Sequence, residues 1–310
     1  MIYTCTITPS VDYTTYLPSF ENGKLNRTSE VFYYPGGKGI NVSRVLKRLG
    51  ARNKALGFIG GFTGNYIEDF LLREGVETDF IETAEITRIN VKIKAAEETE
   101  LNGPGPALRA EDLAQLTEKI NNMEKGDWLV LAGSLPVMIP LSYFSGIAER
   151  CSERQIRFVL DTSGPALKEL VKFSPFLIKP NIHELGELFD AAISTKAEAF
   201  HYAKKLVAGG VENVIVSLGG DGALWINETS AFEAKAPIGK VVNTVGSGDS
   251  LVSGFIASYC ETEDPLEAFK YGVASGSATA FRSDLCRKED VEELVGEVHV
   301  KEIKHGDVIV

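Results

Sequence analysis

Gly246, Ser247 and Gly248 stand directly before an acid, Asp249, and an apolar run at 251–257. Small residues let the backbone turn several N–H groups toward one point. A helix starting there adds the positive end of its dipole. Such a nest takes an anion, most often phosphate. A carboxylate beside bound phosphate is repelled, so Asp249 has a use there if it takes a proton from a hydroxyl attacking phosphorus. The same residues also make an ordinary glycine-rich turn with Asp249 as a helix cap. The segment alone does not choose between the two.

A second glycine cluster, Pro35-Gly-Gly-Lys-Gly-Ile-Asn41, precedes a helical pattern. Gly36, Gly37 and Gly39 allow close backbone approach to a ligand, Lys38 adds a cation, and Asn41 falls in the first helical turn. It lacks the G-x-x-x-x-G-K-[ST] spacing of a Walker loop. Lys179-Pro-Asn-Ile-His-Glu184 follows a strand. Asn181 and Glu184 there form a capping-box pair, or Glu184 stands near a hydrated Mg²⁺, an ion that needs few protein ligands. Ser217, Leu218, Gly219, Gly220, Asp221 and Gly222 follow another strand and read first as a hairpin turn. Arg88, Asn90 and Lys92 share the polar face of a strand, either to bind phosphate and hydroxyls or as a solvated face. Asp12, at a strand end, holds sugar hydroxyls or makes an Asx-turn.

The elements that position these residues follow from periodicity. Strands are expected at 2–7, 54–59, 128–132, 158–161, 176–179, 214–217 and 223–226. Helices are expected at 39–49, 65–74, 111–123, 140–153, 165–173, 183–189, 197–208, 251–260 and 265–281. In the first helix Val42, Val45, Leu46 and Leu49 share a face, with Lys and Arg opposite. The alternation from about residue 125 onward implies a largely parallel sheet with helices on both faces. Two strand regions with a polar face, about 12–35 and 87–103, break that rhythm as a small sheet over a ligand. Ligands bind at the carboxyl ends of strands in such sheets. The loops that matter therefore follow Ile7, Leu131, Leu160, Lys179, Ser217 and Val242. The tail at 298–310 alternates in places and reads as a terminal strand.

Bulk properties narrow the class. The chain has 310 residues, 44% hydrophobic and 24% charged, with net charge −11. It is long enough for one large α/β unit or two domains, and its acidity argues against nucleic-acid binding. An anionic small ligand is not excluded, because a few local cations override the global charge. Four scattered cysteines (Cys5, Cys151, Cys260, Cys286) and four scattered histidines give no metal-ligand cluster. The first residues, MIYTCTITPS, carry neither a basic region nor a long apolar run. No membrane association and a reduced, cytoplasmic setting are expected.

The motifs in this order resemble the phosphofructokinase B group of the ribokinase-like sugar kinases along nearly the whole chain. PGGKGINVS (35–43) looks like the family's N-terminal signature and NTVGSGDSLVSGF (243–255) like its C-terminal one. Asn181 and Glu184 match its N-x-x-E motif, and 216–222 its nucleotide loop. The resemblance implies a three-layer αβα core with a mostly parallel sheet, formed by 1–11, 36–86 and 104–310. A β lid would comprise 12–35 and 87–103. It also implies transfer of the ATP γ-phosphate to a sugar hydroxyl, with Asp249 as base and Gly246, Ser247 and Gly248 as the anion hole. ATP would meet Lys179, Asn181, Gly248 and residues 217–222, with 272–280 near the adenine. Glu184 would organise Mg²⁺, in part through water.

Asp12, Gly37 and Asn41 would hold the sugar. Thr87-Arg-Ile-Asn-Val-Lys92 and Ala132-Gly-Ser-Leu-Pro136 look most like the sugar-phosphate kinases. Arg88, Lys38 and Lys24 would then meet the phosphate already on the substrate, with Asn90 and Ser134 beside it. The string at 87–92 resembles fructose-1-phosphate kinases more than tagatose-6-phosphate kinases. The expected reaction is fructose 1-phosphate and ATP to fructose 1,6-bisphosphate and ADP, with tagatose 6-phosphate or fructose 6-phosphate as alternative acceptors. A non-catalytic sugar or nucleotide sensor is the reading from a different class. Thr8 departs from the family's usual Asn, which bears on the loop beside Asp12. Exposed lid edges lead to the expectation of a homodimer.

Overall fold

A computed structural model describes residues 1–28 and 30–304. The first half runs β1 (Ile2–Thr6), β2 (Ser10–Tyr16), β3 (Val31–Gly36), α1 (Lys38–Arg48), β4 (Asn53–Ile59), α2 (Gly61–Arg73), β5 (Glu77–Thr78), β6 (Ile81–Glu82), β7 (Arg88–Lys94), β8 (Glu98–Asn102), α3 (Ala110–Asn121), β9 (Trp128–Ala132) and α4 (Leu141–Glu153). It continues with β10 (Arg157–Asp161), α5 (Gly164–Leu170), β11 (Leu177–Ile178), α6 (Ile182–Phe189), α7 (Lys196–Ala208), β12 (Asn213–Ser217), β13 (Ala223–Ile226), β14 (Ala231–Ala234), α8 (Ser247–Thr262), α9 (Pro265–Ala280), α10 (Lys288–Val295) and β15 (Val300–Glu302). No helix among the described residues is long and apolar enough to cross a membrane.

Most strands join one sheet in the order β15-β14-β13-β12-β11-β10-β9-β1-β4-β5, with β6 also on β4. From β5 to β12 the pairings are parallel. The alternation of strand and helix predicts this, because a parallel neighbour needs a crossover. The final pairings, β12 to β15, are antiparallel. The short turn at 217–222 makes the expected hairpin between β12 and β13, and the edge continues antiparallel through β14 to β15.

Strand β9 is buried on both faces, which its unbroken run Trp-Leu-Val-Leu-Ala reflects. Leu129 and Leu131 pack with α3 to α7 on one side, through Leu116, Phe144, Leu167, Leu185 and Ala203. Trp128, Val130 and Ala132 pack with α1, α8, α9 and α10 on the other, through Val42, Phe255, Phe269 and Val291. Each fully buried side chain of this size contributes roughly 1.5–3 kcal/mol. Helices α8 and α9 lie close because Gly272 faces Leu251 O, where a Cβ would stand 2.8 Å away. This close fit seats α9 behind the N-terminal turn of α8.

A second sheet has the order β3-β2-β7-β8. Strands β2 and β7 are parallel, with Asp12 opposite Asn90 and also opposite Tyr34 of β3. These are the two regions whose polar faces interrupt the sequence pattern.

Several boundaries move. Helix α2 begins at Gly61 and α8 at Ser247, each four residues before the expected start. The pattern of apolar residues reveals a helix only from its first buried turn, and glycine-rich first turns hide it. Helix α10 and strand β14 lack expected counterparts. Among described residues the expected terminal strand reduces to β15; positions 305–310 lie outside them. The arginines of α1 are not a solvated face: Arg44 is 2% exposed.

Candidate active site

The carboxyl ends of the parallel strands deliver the functional side chains. β10 ends on Asp161, Lys179 follows β11, and β12 ends on Ser217. Facing them is the N-terminus of α8. Its N-cap Gly246 has φ 80°, the left-handed region, and a Cβ there would stand 2.5 Å from Leu285 Cδ2. Glycine is required on both counts. Ser247, Gly248 and Asp249 form the first turn, so the reading of Asp249 as the N-cap is corrected. The cap position itself needs positive φ, which Gly246 supplies.

Asp249 is 6% exposed, and Asn41 Nδ2 donates to its Oδ2 at 2.8 Å. Burial, then the charge of Asp161, pushes its carboxyl up to about 6, against the opposing pull of Asn41, Lys38 and Lys179. A carboxyl tuned upward remains ionised at neutral pH yet is a stronger base than an ordinary aspartate.

Asp161 binds two lysines. Its Oδ1 lies 3.0 Å from Lys38 Nζ and 3.6 Å from Lys179 Nζ, while its Oδ2 is buried without a partner. Burial acts to raise its carboxyl, but Lys179 and Lys38 outweigh it and hold it below the usual carboxylate range. Burial acts against the Lys38 charge, but Asp161, Asp249 and Glu184 raise it, so Lys38 stays protonated. A Cβ on Gly248 would stand 3.0 Å from Lys179 Nζ, which brings that lysine to the α8 turn. Sequence reasoning missed Asp161. Its one signal was position, a lone acid closing an apolar strand at the edge where ligands bind.

Asn181 and Glu184 form the capping box of α6, with Glu184 N donating to Asn181 Oδ1 (2.8 Å) and Asn181 N donating to Glu184 Oε2 (2.9 Å). The other oxygen, Oε1, lies 3.9 Å from Lys38 Nζ. The cap and the charged cluster therefore use different oxygens of one carboxylate.

A cleft of about 490 Å³ opens beside the α8 turn, lined by Ser217, Gly219, Gly220 and Gly222, by Ser247, Gly248 and Leu251, and by Val273, Gly276, Ser277 and Ala280. Pro237, Ile238, Val241 and Phe281 complete its apolar wall and were not anticipated. The β12–β13 turn is thus both a hairpin and a cleft wall. Leu218 instead packs toward the core and Asp221 is exposed, so neither joins this lining. A larger recess of about 840 Å³, bordered by Lys204, Glu212 and Asn227, holds none of the charged cluster.

On the small sheet, Asp12 Oδ1 accepts from Ser10 Oγ (2.7 Å) and Asn90 Nδ2 (3.2 Å), and Oδ2 pairs with Lys92 Nζ (3.1 Å). Gly36 packs against Asp12, leaving no room for a Cβ. Asp12, Asn41 and Lys92 border a second cleft of about 400 Å³. Arg88 differs from Lys92 in its partners. Nη2 and Nη1 donate to Thr8 O (3.0 Å) and Gly103 O (3.3 Å), and Nε is buried and unpartnered. Thr8 contributes a backbone oxygen, which any residue there supplies. Gly37 caps α1, and Gly133, next to exposed Ser134, lies against Lys38 N.

Lys24 is not part of this arrangement. It sits exposed between β2 and β3, paired with Glu21 three residues earlier.

Among the described residues, the buried side-chain atoms without partners are Thr6 Oγ1, Arg88 Nε, Asn90 Oδ1, Asp161 Oδ2, Thr162 Oγ1 and Ser247 Oγ. Each orphan costs about 1–3 kcal/mol. All lie at strand ends, on the small sheet or in the α8 turn, where a polar ligand would satisfy them. Among described residues no group of His, Cys, Asp and Glu side chains is arranged to hold a metal by itself.

Residues 6–290 match the pfkB family carbohydrate kinase model. The chain is 51% identical to the 1-phosphofructokinase of Bacillus subtilis (strain 168), covering 97% of this chain and 99% of that protein. It is 36% identical to the D-tagatose-1-phosphate kinase of Bacillus licheniformis, with 97% and 99% covered. The tetrameric inhibited form of phosphofructokinase-2 from Escherichia coli superimposes with a TM-score of 0.90 at 31% identity, covering 96% and 98% of the two chains.

Proposed function

Because the chain belongs to the pfkB family of carbohydrate kinases, we propose that it transfers the γ-phosphoryl group of MgATP to the C6 hydroxyl of fructose 1-phosphate, releasing ADP and fructose 1,6-bisphosphate. The observation that carries the chemistry is a buried carboxylate, Asp249, in the first turn of a helix that presents the unpartnered Ser247 hydroxyl. The identity to a protein named 1-phosphofructokinase supports the choice of acceptor.

The small sheet, 12–35 and 87–103, acts as a lid over a core of 1–11, 36–86 and 104–310. ATP lies in the cleft between the β12–β13 turn and α9. Arg88 receives the 1-phosphate, with Asn90 and Ser134 beside it. Asp12, Gly37 and Asn41 hold the sugar hydroxyls. Asp249 takes the C6 hydroxyl proton as the oxygen bonds to phosphorus and the bond to ADP breaks. Lys38, expected from sequence at the substrate's own phosphate, pairs instead with Asp161 and Glu184, so it joins Lys179 and the amides of Gly246, Ser247 and Gly248 in offsetting charge on the transferring phosphoryl group. Glu184 Oε1, which the cap leaves unused and which lies 3.9 Å from Lys38 Nζ, would hold a hydrated Mg²⁺, an ion that needs few protein ligands. When bound, that ion supplies charge neutralisation. Lid closure excludes water and limits ATP hydrolysis.

A coupled ADP-release assay tests this. Among fructose 1-phosphate, tagatose 1-phosphate, tagatose 6-phosphate and fructose 6-phosphate, the first is expected to give the highest kcat/KM. Tagatose 1-phosphate belongs in the panel because of the 36% identity to a D-tagatose-1-phosphate kinase. Preference for a 6-phosphate would reject the assignment.

Asp249 must be ionised to accept a proton, so activity is present above its pKa and lost as pH falls through it. The acid limb of kcat/KM, which reports the free enzyme, is expected near pH 6, falling about tenfold per unit below. Asp161→Asn removes the like charge and leaves Lys38 and Lys179 unneutralised. Both changes favour ionised Asp249, so the limb moves to lower pH. An unmoved limb assigns it to another group.

Tyr33, Ile89 and Leu101 are 54%, 40% and 59% exposed, and register puts them on the apolar outer face of the lid sheet. Such patches favour association. A homodimer through this face is expected. A monomeric mass by light scattering at micromolar concentration would reject it.

A further inference from the structure

Asn41, Arg44 and Arg48 are spaced to share one face of α1. Asn41 holds the base at one end of that stripe. Arg44 grips Glu74 through Nε (2.8 Å) and Nη2 (3.0 Å), and Arg48 Nη2 reaches the same carboxylate at 2.8 Å. Both guanidinium groups also donate to Asp284 Oδ2, at 3.0 and 2.8 Å. Arg48 Nη1 then donates to Leu285 O at 2.6 Å. The Leu285 side chain is the atom group that packs on Gly246, the cap of the phosphate-binding turn. Helix α1 thus links Asn41 and the base, through two arginines and their contacts, to the residue seated on the other end of that turn.

We propose that the Arg44–Arg48–Glu74–Asp284 network is a positioning strut for phosphoryl transfer, clamping 284–285 against Gly246 and so fixing the Gly246–Asp249 turn relative to Asn41. The proposal rests on the phosphoryl-transfer reading of that turn. Forked arginine–carboxylate contacts fix direction as well as distance, which an anion hole needs more than a surface does. The Arg44 side chain is 3% exposed, so its charge is matched within the protein. Glu74 and Asp284 are both held below the usual carboxylate range, Arg44 and Arg48 outweighing burial. By contrast Arg52, on the loop after α1, makes a single exposed pair with Glu77. Asp284 also borders the cleft that contains Asp12 and Lys92, so direct contact with the sugar is the competing role.

The test compares Asp284→Asn, Arg48→Lys, their combination, and Arg52→Ala as a control. It measures kcat, KM for MgATP and for fructose 1-phosphate, Tm, and formation of the MgADP–aluminium fluoride complex in the presence of fructose 1-phosphate. Misplacing an aligned group by about 1 Å costs on the order of a hundredfold. The network variants are therefore expected to lose about ten- to a hundredfold in kcat and in stability of the aluminium fluoride complex, with both KM values within about twofold. The double variant should be no worse than the more damaging single, because the contacts act as one unit. Arg52→Ala should match the wild type. Unchanged kcat overturns the strut, as does a loss confined to the fructose 1-phosphate KM. A kcat loss that disappears when each variant is assayed equally far below its Tm also overturns it. Absence of ADP release by the wild-type enzyme with any sugar phosphate instead overturns the underlying reading.

Discussion

Asp249→Asn is expected to lower kcat by about 10²- to 10⁴-fold, the range that a positioned general base contributes. KM for MgATP should change little, because the amides of the turn and Lys179 remain. Asparagine keeps the shape, and its carbonyl oxygen still accepts from Asn41 Nδ2, now 2.8 Å from Asp249 Oδ2. Only proton acceptance is lost. Stability should move the opposite way. The folded protein raises the Asp249 pKa to about 6, so holding that group ionised weakens the fold as pH rises from about 4 through 6. Asparagine has no charge to bury. The variant is therefore expected to melt above the wild type at pH 8, with the gap closing toward pH 4. Near-normal turnover by Asp249→Asn would remove Asp249 as the base.

Arg88→Ala is expected to raise KM for fructose 1-phosphate by about ten- to a hundredfold, with KM for MgATP nearly unchanged. Hydrogen bonds to charged groups contribute about 1.5–3 kcal/mol each, and each 1.4 kcal/mol is about tenfold. Arg88 is singled out by its neighbours. Lys92 is matched by Asp12 and Lys94 by Glu98, whereas Arg88 has backbone carbonyls and an unpartnered Nε. Burial lowers its pKa despite the charge of Asp12. Arg88→Lys keeps the cation but loses the fork and should recover only part of the affinity. A melting curve separates loss of the Thr8 and Gly103 contacts from loss of the substrate contact. Equal effects on both KM values would reject the phosphate-anchor role.

The parts of this molecule that could be read from sequence are those whose physics is local. The Gly246–Asp249 turn joins the special backbone, the amides and the acid within four residues. β9 and β13 match their expected bounds because buried runs between clear breaks leave no other option. The site members that escaped notice acquire their role from distant partners. Asp161 resembles any acid at a strand end until Lys38 arrives from 123 residues away. Arg44 resembles a solvated helix face until Glu74 and Asp284 enclose it. Helix α10 places Val291, Leu294 and Val295 on one face against the core, but within eight residues that stripe is too brief to stand out.

The bond from Asn41 to Asp249 spans 208 residues of chain, and that from Arg48 to Leu285 spans 237. Such closures carry the largest entropic loss and follow local structure in time. During refolding, helical circular dichroism should therefore recover before ADP release does. Ligands that bridge the two segments, a nucleotide and a sugar phosphate together, would shorten the interval more than either alone.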